Sequence, residues 1–401
     1  MIDFSQLPTT DTYDYNLPEA RIAFKPLEKR DTSRLLVYNQ GIINHRNFSD
    51  LPELLPGDSR LFFNETKVVM ARLHAMVPEK NRLIEVFCLE APKGKSVEQV
   101  MQSKGAATFY CLVGGARYWK SGVLNIDVDQ NGFQATLQLE MLRREEGKFL
   151  IGFTWQGDLT FAEILDAAGK VPLPPYIKRD VEDSDSSRYQ TVYAKQNGSV
   201  AAPTAGLHFT PEVMEKVRER GIQMCPLVLH VGGGTFLPLK ADSLEKHVMH
   251  AEEMVITSAT IANVLGDAEK RVAVGTTSAR FLETLYWLGV KCIEGGDCTY
   301  LEQWAPYTLP QNNTLKQSME ALQAHIGEGK LYAKTSMMII PGYRFRVIDG
   351  LITNFHQPKS TLLMLVAAVV GDDWKRIYHE ALNHDYRFLS YGDSNLYWVV
   401  R

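Results

Sequence analysis

The chain has 401 residues, 45% of them hydrophobic, and its 43 basic and 47 acidic side chains give a formal net charge of −4 at pH 7. This balance gives no global sign of nucleic-acid binding, so any contact with RNA has to come from a local patch. The length exceeds a usual single domain, which predicts two domains with large hydrophobic cores, one of them discontinuous.

Cysteine usage and apolar runs bear on the cellular compartment. The five cysteines are odd in number and include no Cys-x-x-Cys pair, which argues against a disulfide framework or a zinc ribbon. The N-terminus lacks the basic and apolar stretches of a signal peptide, and the longest apolar run, 362–370, is too short to cross a bilayer. We therefore expect a cytoplasmic protein without a membrane segment.

The N-terminal part predicts a short helix over 18–23 and a strand over 34–38. Between them, Arg30, Asp31 and Arg34 could hold an anionic group or could tie this loop to its neighbours.

From about residue 61 to 155, apolar and polar residues alternate, most clearly over 133–141. This period is typical of half-buried antiparallel strands, and it predicts a small β-barrel. The loop 114–120 combines cations with aromatic residues, so it could contact RNA or could be an ordinary turn with a surface aromatic.

A helix is predicted over 159–168, followed by the proline-rich segment 171–179. A stiff, extended segment of this kind is expected to hold Tyr176, Lys178 and Arg179 outward. The acidic and polar residues 180–187 that follow predict a mobile loop.

A loop of small residues, 198–210, ends where a helix over 211–220 begins, with Thr210 as its N-cap. The positive end of the helix dipole disfavours an imidazolium ion, so His208 is expected to stay neutral and could act as a base. The alternative is a close contact between two backbones, with His208 as a plain hydrogen-bonding residue.

Helices and strands alternate downstream, with strands predicted over 222–231, 271–274 and 336–340 and helices over 258–265 and 278–289. This order predicts a parallel sheet covered by helices, whose ligands gather where the strands end.

The strand ends to inspect are 230–236, 275–280 and 341–343, and the segment 247–253 carries a further group of candidates. Thr276, Thr277, Ser278 and Arg280 could converge on an anion such as a carboxylate, or could simply begin a capped helix. His247 and His250 lie near two glutamates, but their spacing is not that of a zinc motif.

The last part predicts a hairpin over 343–356 that turns at Asp349 and Gly350. His356 ends it beside an apolar helix over 361–370, and an amphipathic helix over 374–384 precedes the aromatic segment 386–393.

Taken together, these segments resemble the S-adenosylmethionine:tRNA ribosyltransferase-isomerase family of queuosine biosynthesis. The matching segments run in the family's order: 30–37 (RDTSRLLV), 172–177 (PLPPYI), 188–193 (RYQTVY), 198–210, 229–236 (LHVGGGTF), 247–252 (HVMHAE), 275–280 (GTTSAR), 353–356 (TNFH) with 358–366, and 386–393 (YRFLSYGD).

The resemblance implies a fold and a reaction. The fold is α/β: a discontinuous Rossmann-like domain over 1–60 and 156–401, with a small antiparallel β-barrel inserted over 61–155. The reaction transfers the ribosyl unit of S-adenosylmethionine to 7-aminomethyl-7-deazaguanine at the tRNA wobble position, giving epoxyqueuosine and releasing adenine and methionine. The implied partners are S-adenosylmethionine as substrate and tRNA of the Asp, Asn, His and Tyr type, with no metal, no membrane and a monomeric state.

Three sets of candidate site residues follow from the resemblance. The catalytic candidates are His208, His356 and Arg280. The substrate-binding candidates are Thr204, Phe209, His230, Gly233, Thr235, Thr276, Thr277, Ser278, Asn354, Phe355 and Tyr391. The RNA-binding candidates are Tyr176, Lys178, Arg179 and Arg188.

Two other functional classes stay open. The chain could bind S-adenosylmethionine and RNA without ribosyl transfer, or it could be a hydrolase that pairs Ser278 or Ser199 with a histidine. Neither serine has the glycine pattern of a nucleophile elbow.

Overall fold

The computed structural model describes residues 9–130, 133–145, 147–233 and 244–400. Its strands are β1 (Arg34–Asn39), β2 (Ile42–Asn47), β3 (Arg60–Asn64), β4 (Thr66–Val68), β5 (Arg72–Val77), β6 (Arg82–Glu90), β7 (Ala106–Gly114), β8 (Val123–Gln130), β9 (Phe133–Glu145), β10 (Lys148–Thr154), β11 (Gln196–Ser199), β12 (Gln223–His230), β13 (Glu252–Thr257), β14 (Arg271–Val274), β15 (Tyr300–Leu301), β16 (Lys330–Thr335), β17 (Gly350–Asn354) and β18 (Ser394–Trp398). Its α-helices are α1 (Leu51–Leu54), α2 (Val97–Met101), α3 (Phe161–Ala168), α4 (Asp185–Arg188), α5 (Pro211–Glu219), α6 (Ser258–Leu265), α7 (Thr276–Ile293), α8 (Leu315–Ile326), α9 (Thr361–Val370) and α10 (Trp374–Asn383).

A ten-stranded sheet forms the centre of the larger part of the molecule, in the order β15-β16-β13-β12-β3-β14-β17-β18-β1-β2. The run β12-β3-β14-β17 is parallel, as predicted, whereas β13, β18 and β2 each pair antiparallel with a neighbour. The expectation of a purely parallel sheet is therefore wrong at both flanks, although the α/β class is confirmed.

The central strands are continuous apolar runs because both faces of the sheet are covered. Val272, Ala273 and Val274 of β14 are all fully buried, and α7 packs against β14, β3 and β17. Strands of a two-sided parallel sheet read as unbroken hydrophobic stretches for this reason. The same burial requires the strand ends, rather than the strand faces, to carry the polar residues.

A separate six-stranded antiparallel sheet has the order β5-β6-β7-β10-β9-β8, and its two outer strands, β5 and β8, lie against each other. The sheet is therefore nearly closed around its own core, which contains Phe109, Trp119 and Phe153. This confirms the predicted antiparallel barrel. Its first strand begins at Arg72, since Arg60–Asn64 lies in the ten-stranded sheet, and the division at 61 and 155 stays a prediction.

Two predicted elements at the C-terminal side are wrong. The apolar stretch 336–340 is buried as expected but is not a strand; the strand is Lys330–Thr335, which pairs with Glu252–Thr257. The predicted hairpin over 343–356 contains only the strand Gly350–Asn354, which lies between β14 and β18.

A buried carboxylate explains why the first arm of that hairpin does not form. Oε1 of Glu283 on α7 accepts the backbone N–H groups of Val347 and Ile348, and Oε2 accepts the N–H of Arg346 and the hydroxyl of Tyr343. These backbone N–H groups are unavailable to a partner strand, so the segment 343–348 binds the carboxylate of Glu283 and does not form a strand.

A disulfide joins Cys292 and Cys298, a bond that the cysteine count had not indicated. The described residues otherwise include three free, buried cysteines. Every helix in the described part of the chain is too short or too polar to span a lipid bilayer.

Candidate functional site

The candidate site lies where β14 and β17 end, beside the short 3-10 helix Thr204–His208. Gly275 follows β14 with φ of 91°, and its N–H donates to the carbonyl of Ile352 on β17. A Cβ at Gly275 would lie 3.6 Å from Cβ of Ala205, so the loop 198–210 packs directly on this strand end. The carboxyl edge of the parallel strands is where ligands of such sheets usually bind.

His208 is buried at this edge and its imidazole is held on both sides. Nδ1 is 2.8 Å from Oγ of Ser33, and Nε2 is 3.1 Å from Nδ2 of Asn354. Because an amide nitrogen only donates, Nε2 carries the lone pair and Nδ1–H donates to Ser33 in the arrangement as assigned. The ring can therefore accept a proton only when Asn354 moves away from Nε2.

The pKa of His208 is lowered to about 3, first by burial and then by the charges of Arg387 and Arg30. The expected neutral state is confirmed, and burial is the largest cause of the shift. Helix α5 begins at Pro211 with Thr210 as its N-cap, and the contribution of its dipole stays a prediction.

His356 follows the same strand, two residues beyond Asn354, and it is also buried. Its Nε2 is hydrogen-bonded with Oγ1 of Thr353 at 2.9 Å. Two tyrosines bind its backbone: the hydroxyl of Tyr15 donates to its carbonyl, and the hydroxyl of Tyr378 accepts its N–H. Its Nδ1 has no hydrogen-bond partner among the described residues. Burial lowers the pKa of His356 to about 3, so this imidazole is neutral and has one nitrogen available.

A small cavity beside His208 is lined by two arginines that face no carboxylate in the described part of the chain. Arg30 donates to the carbonyls of Gln190 and Ser187, and Arg188 donates to those of Glu28 and Leu27. Backbone carbonyls position a guanidinium without neutralising its charge. The pKa of Arg30 is lowered by burial and by Arg188, which is the signature of two cations held close together without a counter-ion.

Tyr391 forms another wall of this cavity and connects it to a buried ion pair. Its hydroxyl donates to Asp185, whose carboxylate also accepts both terminal nitrogens of Arg179 at 2.7 Å. Tyr176 is hydrogen-bonded with Ser390. The expectation that Tyr176 and Arg179 point outward is therefore wrong, because their polar groups are used inside the protein.

Of the three residues predicted to point outward, Tyr176, Lys178 and Arg179, only Lys178 is exposed, and it pairs with Glu19. The predicted mobile loop 180–187 likewise contains a buried anchor, Asp185, which is 1% exposed.

Arg280 lies on the first turns of α7 in a different environment. Its Nη1 donates to Glu252 at 2.8 Å and its Nε to the carbonyl of Met337, while its buried Nη2 has no partner among the described residues. Oγ of Ser278 is also buried without a partner among the described residues, and Thr276 is buried. A hydrogen bond joins His208 to Asn354, and His356 follows Asn354 by two residues, whereas no described contact joins Arg280 to either histidine.

The chain matches the family of queuosine biosynthesis proteins over residues 10–397. It belongs to this family. It also aligns with the crystal structure of an S-adenosylmethionine tRNA ribosyltransferase from Thermotoga maritima, at 29% identity over 96% of this chain and 99% of the other. The TM-score of that superposition is 0.44.

Two aromatic candidates of this queuosine biosynthesis protein are core residues. Phe209 is fully buried and packs on Phe48 and Tyr193, and Phe355 stacks on Phe388. Both rings are fully buried, and their predicted role in substrate binding stays a prediction.

Two further candidates lie on the side of the barrel. His230 is buried, and both of its ring nitrogens lack partners among the described residues. A Cβ at Gly233 would come within 2.7 Å of the Phe87 ring of β6, so this glycine permits close packing on the barrel. Thr204 is half-buried beside the site, Thr277 is half-buried on α7, and Thr235 lies outside the described residues.

Sequence reasoning missed Ser33 as the partner of His208 and missed Arg387 as a charge acting on it. Both lie inside segments that the family resemblance had marked, 30–37 and 386–393. The sequence leaves two roles open for Arg30, anion binding or a contact between loops. In the structure Arg30 joins two loops by donating to the carbonyls of Gln190 and Ser187, and it also lines the cavity.

Proposed function

We propose that this protein is the S-adenosylmethionine-dependent tRNA ribosyltransferase-isomerase of queuosine biosynthesis. It would transfer and isomerise the ribosyl unit of S-adenosylmethionine onto 7-aminomethyl-7-deazaguanine at the wobble position, giving epoxyqueuosine, adenine and methionine. Family membership supports the pathway. The observation that carries the site is the neutral, buried imidazole of His208, which lines the cavity with Arg30 and Arg188 and is hydrogen-bonded to Asn354 at the end of β17. The imidazole of His356, two residues after Asn354, is also neutral and buried.

The first chemical step requires a base. A sulfonium acidifies the neighbouring ribose 5′ carbon, so a neutral imidazole can take that proton, and methionine later departs as a neutral thioether. Nδ1 of His356 is unpartnered in the described part of the chain and favours this residue as the base. His208 is the alternative, and it would act only after Asn354 has left Nε2.

Two groups of cations would divide the substrates between them. Nη2 of Arg280, which is buried without a partner among the described residues, suits the carboxylate of the methionine part. Arg30 and Arg188, which in the described part of the chain donate hydrogen bonds to backbone carbonyls alone, suit a tRNA phosphate. The remaining proposals are tRNA of the Asp, Asn, His and Tyr type as partner, a monomeric state and a cytoplasmic location.

One assay tests the proposal against both rival classes. The protein is incubated with S-adenosylmethionine and tRNA that carries the aminomethyl-deazaguanine, and released adenine is measured. Adenine release that requires both substrates is the expected result. Binding of both substrates without adenine would instead indicate a binding protein, and the proposal would be rejected.

The hydrolase alternative now depends on Ser33, the serine that contacts a histidine in the described residues. Ser199 contacts Thr66 and the N–H of Val231, and Ser278 has no partner there. Ser33 is only 2% exposed, which leaves an ester little access to its Oγ. Hydrolysis of an ester that is lost in Ser33→Ala and occurs without S-adenosylmethionine would favour the hydrolase.

A further inference from the structure

Two cysteines and a histidine meet at one end of α7, away from the site described above. Cys292 lies in the last turn of α7, and a tight bend through Gly295, with φ of 72°, returns the chain to Cys298. His325 lies in the last turn of α8, which packs along α7. A ring nitrogen of His325 and the two sulfur atoms all lie within 4.8 Å of one another.

The electrostatics of this cluster favour a cation. Both helices, α7 and α8, end here, and the carbonyl groups at a helix C-terminus carry partial negative charge. The carboxylate of Asp297, between the two cysteines, accepts hydrogen bonds from the N–H and the hydroxyl of Thr299. The ammonium of Lys291 is itself bound by Glu302 and by the carbonyl of Tyr300.

We propose that the reduced pair Cys292 and Cys298, together with His325, binds a borderline-soft divalent cation of the zinc class. Two thiolates and one imidazole are a typical donor set for such ions, and three protein ligands leave one position open. The site differs from the candidate active site, because Cys292 lies on the order of 18 Å along α7 from Arg280, at 1.5 Å per residue. It also departs from the expectation of no metal, which rested on the lack of a Cys-x-x-Cys pair, on the spacing of His247 and His250 and on the family resemblance.

The disulfide and the metal site exclude each other. An external dithiol would reduce the disulfide by donating two electrons and two protons, becoming a disulfide itself. Binding of the divalent cation then displaces one proton from each thiol, so that the two sulfur atoms are ligands as thiolates. The proposal therefore predicts that metal affinity appears only after reduction.

The test uses Co²⁺ as a spectroscopic probe for the full-length, reduced, metal-free protein. The expected result is one equivalent of bound Co²⁺ with sulfur-to-cobalt charge-transfer absorption, which Zn²⁺ displaces. Cys298→Ser should abolish this absorption, and His325→Ala should weaken binding at least tenfold. His379→Ala, which removes an exposed histidine on α10, is the matched control and should bind like the wild type.

The oxidised wild-type protein keeps the test informative even if a cysteine variant fails to fold. It has the disulfide seen in the structure, so it should show an unchanged circular dichroism spectrum and no charge-transfer absorption. A second cluster, His45, Glu380 and His384, could also take Co²⁺, but without sulfur ligands. Charge-transfer absorption that persists after oxidation, or its absence from the reduced protein saturated with Co²⁺, would overturn the proposal.

Discussion

Nδ2 of Asn354 lies 3.1 Å from Nε2 of His208, and thereby ties the end of β17 to the loop 198–210. The other amide atom, Oδ1, is buried without a partner among the described residues. The side chain of Asn354 therefore blocks protonation of His208 at Nε2, and His356 follows it by two residues in the chain.

Replacing Asn354 with alanine should separate stability from activity. The variant should lose about 1–3 kcal/mol of unfolding free energy, because a buried hydrogen bond is lost, and adenine release should also fall. Asn395→Ala is the matched control: Asn395 is buried on the neighbouring strand β18 and donates to the carbonyl of Thr353. Denaturant unfolding measures the loss of stability, and adenine release is measured without denaturant, where both variants are folded. Equal activity losses in the two variants would mean that Asn354 acts through the fold alone.

His356→Ala should lower the rate of adenine release by about 10²–10⁴, the usual contribution of a general base. Binding of S-adenosylmethionine should change far less, since the proton is taken only during the reaction. The comparison variant is His208→Ala. If only His208→Ala loses activity, the base is His208, and undiminished turnover in both variants rejects both assignments.

The buried histidines should make the fold sensitive to acid. The pKa of His356 is about 3 in the folded protein, below the ordinary 6.5, so its stabilising effect is complete above pH 6.5 and is lost as pH falls toward 3. Between pH 7 and pH 5 this loss is about 2 kcal/mol for each such histidine. Unfolding free energy measured at both pH values should therefore fall less in His356→Gln than in the wild type. Parallel pH profiles would contradict the buried neutral state.

Glu283→Gln tests the carboxylate that replaces the predicted hairpin. A glutamine amide would direct its NH₂ group at backbone donors that the carboxylate now accepts, so we expect a loss of about 3 kcal/mol in unfolding free energy. Glu320→Gln, on the exposed side of α8, should change stability by less than about 0.5 kcal/mol. Denaturant midpoints measure both, and similar midpoints would show that Glu283 does not hold the segment.

Arg188→Ala should weaken the binding of tRNA and lower the salt dependence of its affinity by about one unit of the logarithmic slope, as expected for one lost phosphate contact. Binding of S-adenosylmethionine alone should be unaffected. Arg218→Ala, which removes an exposed cation of α5 that pairs with Glu215, is the control. An unchanged salt slope in Arg188→Ala would place the tRNA on another surface.

The sequence by itself determined the elements whose patterns are local. The alternation over 133–141 predicted an antiparallel strand, the apolar run of β14 predicted a covered parallel strand, and Thr210 predicted the start of α5. These signals survive because each depends on neighbouring residues and on which side of the element is buried.

Only the tertiary structure decided what distant residues do to one another. No local pattern could show that Glu283 takes the donors of 346–348, that burial is the largest cause of the lowered pKa of His208, or that Arg179 turns inward to Asp185. Nor could spacing alone bring Cys292 and Cys298 to His325. Burial, charge and hydrogen-bond partners are set by groups far apart in the chain, and these contacts exist only once the chain has folded.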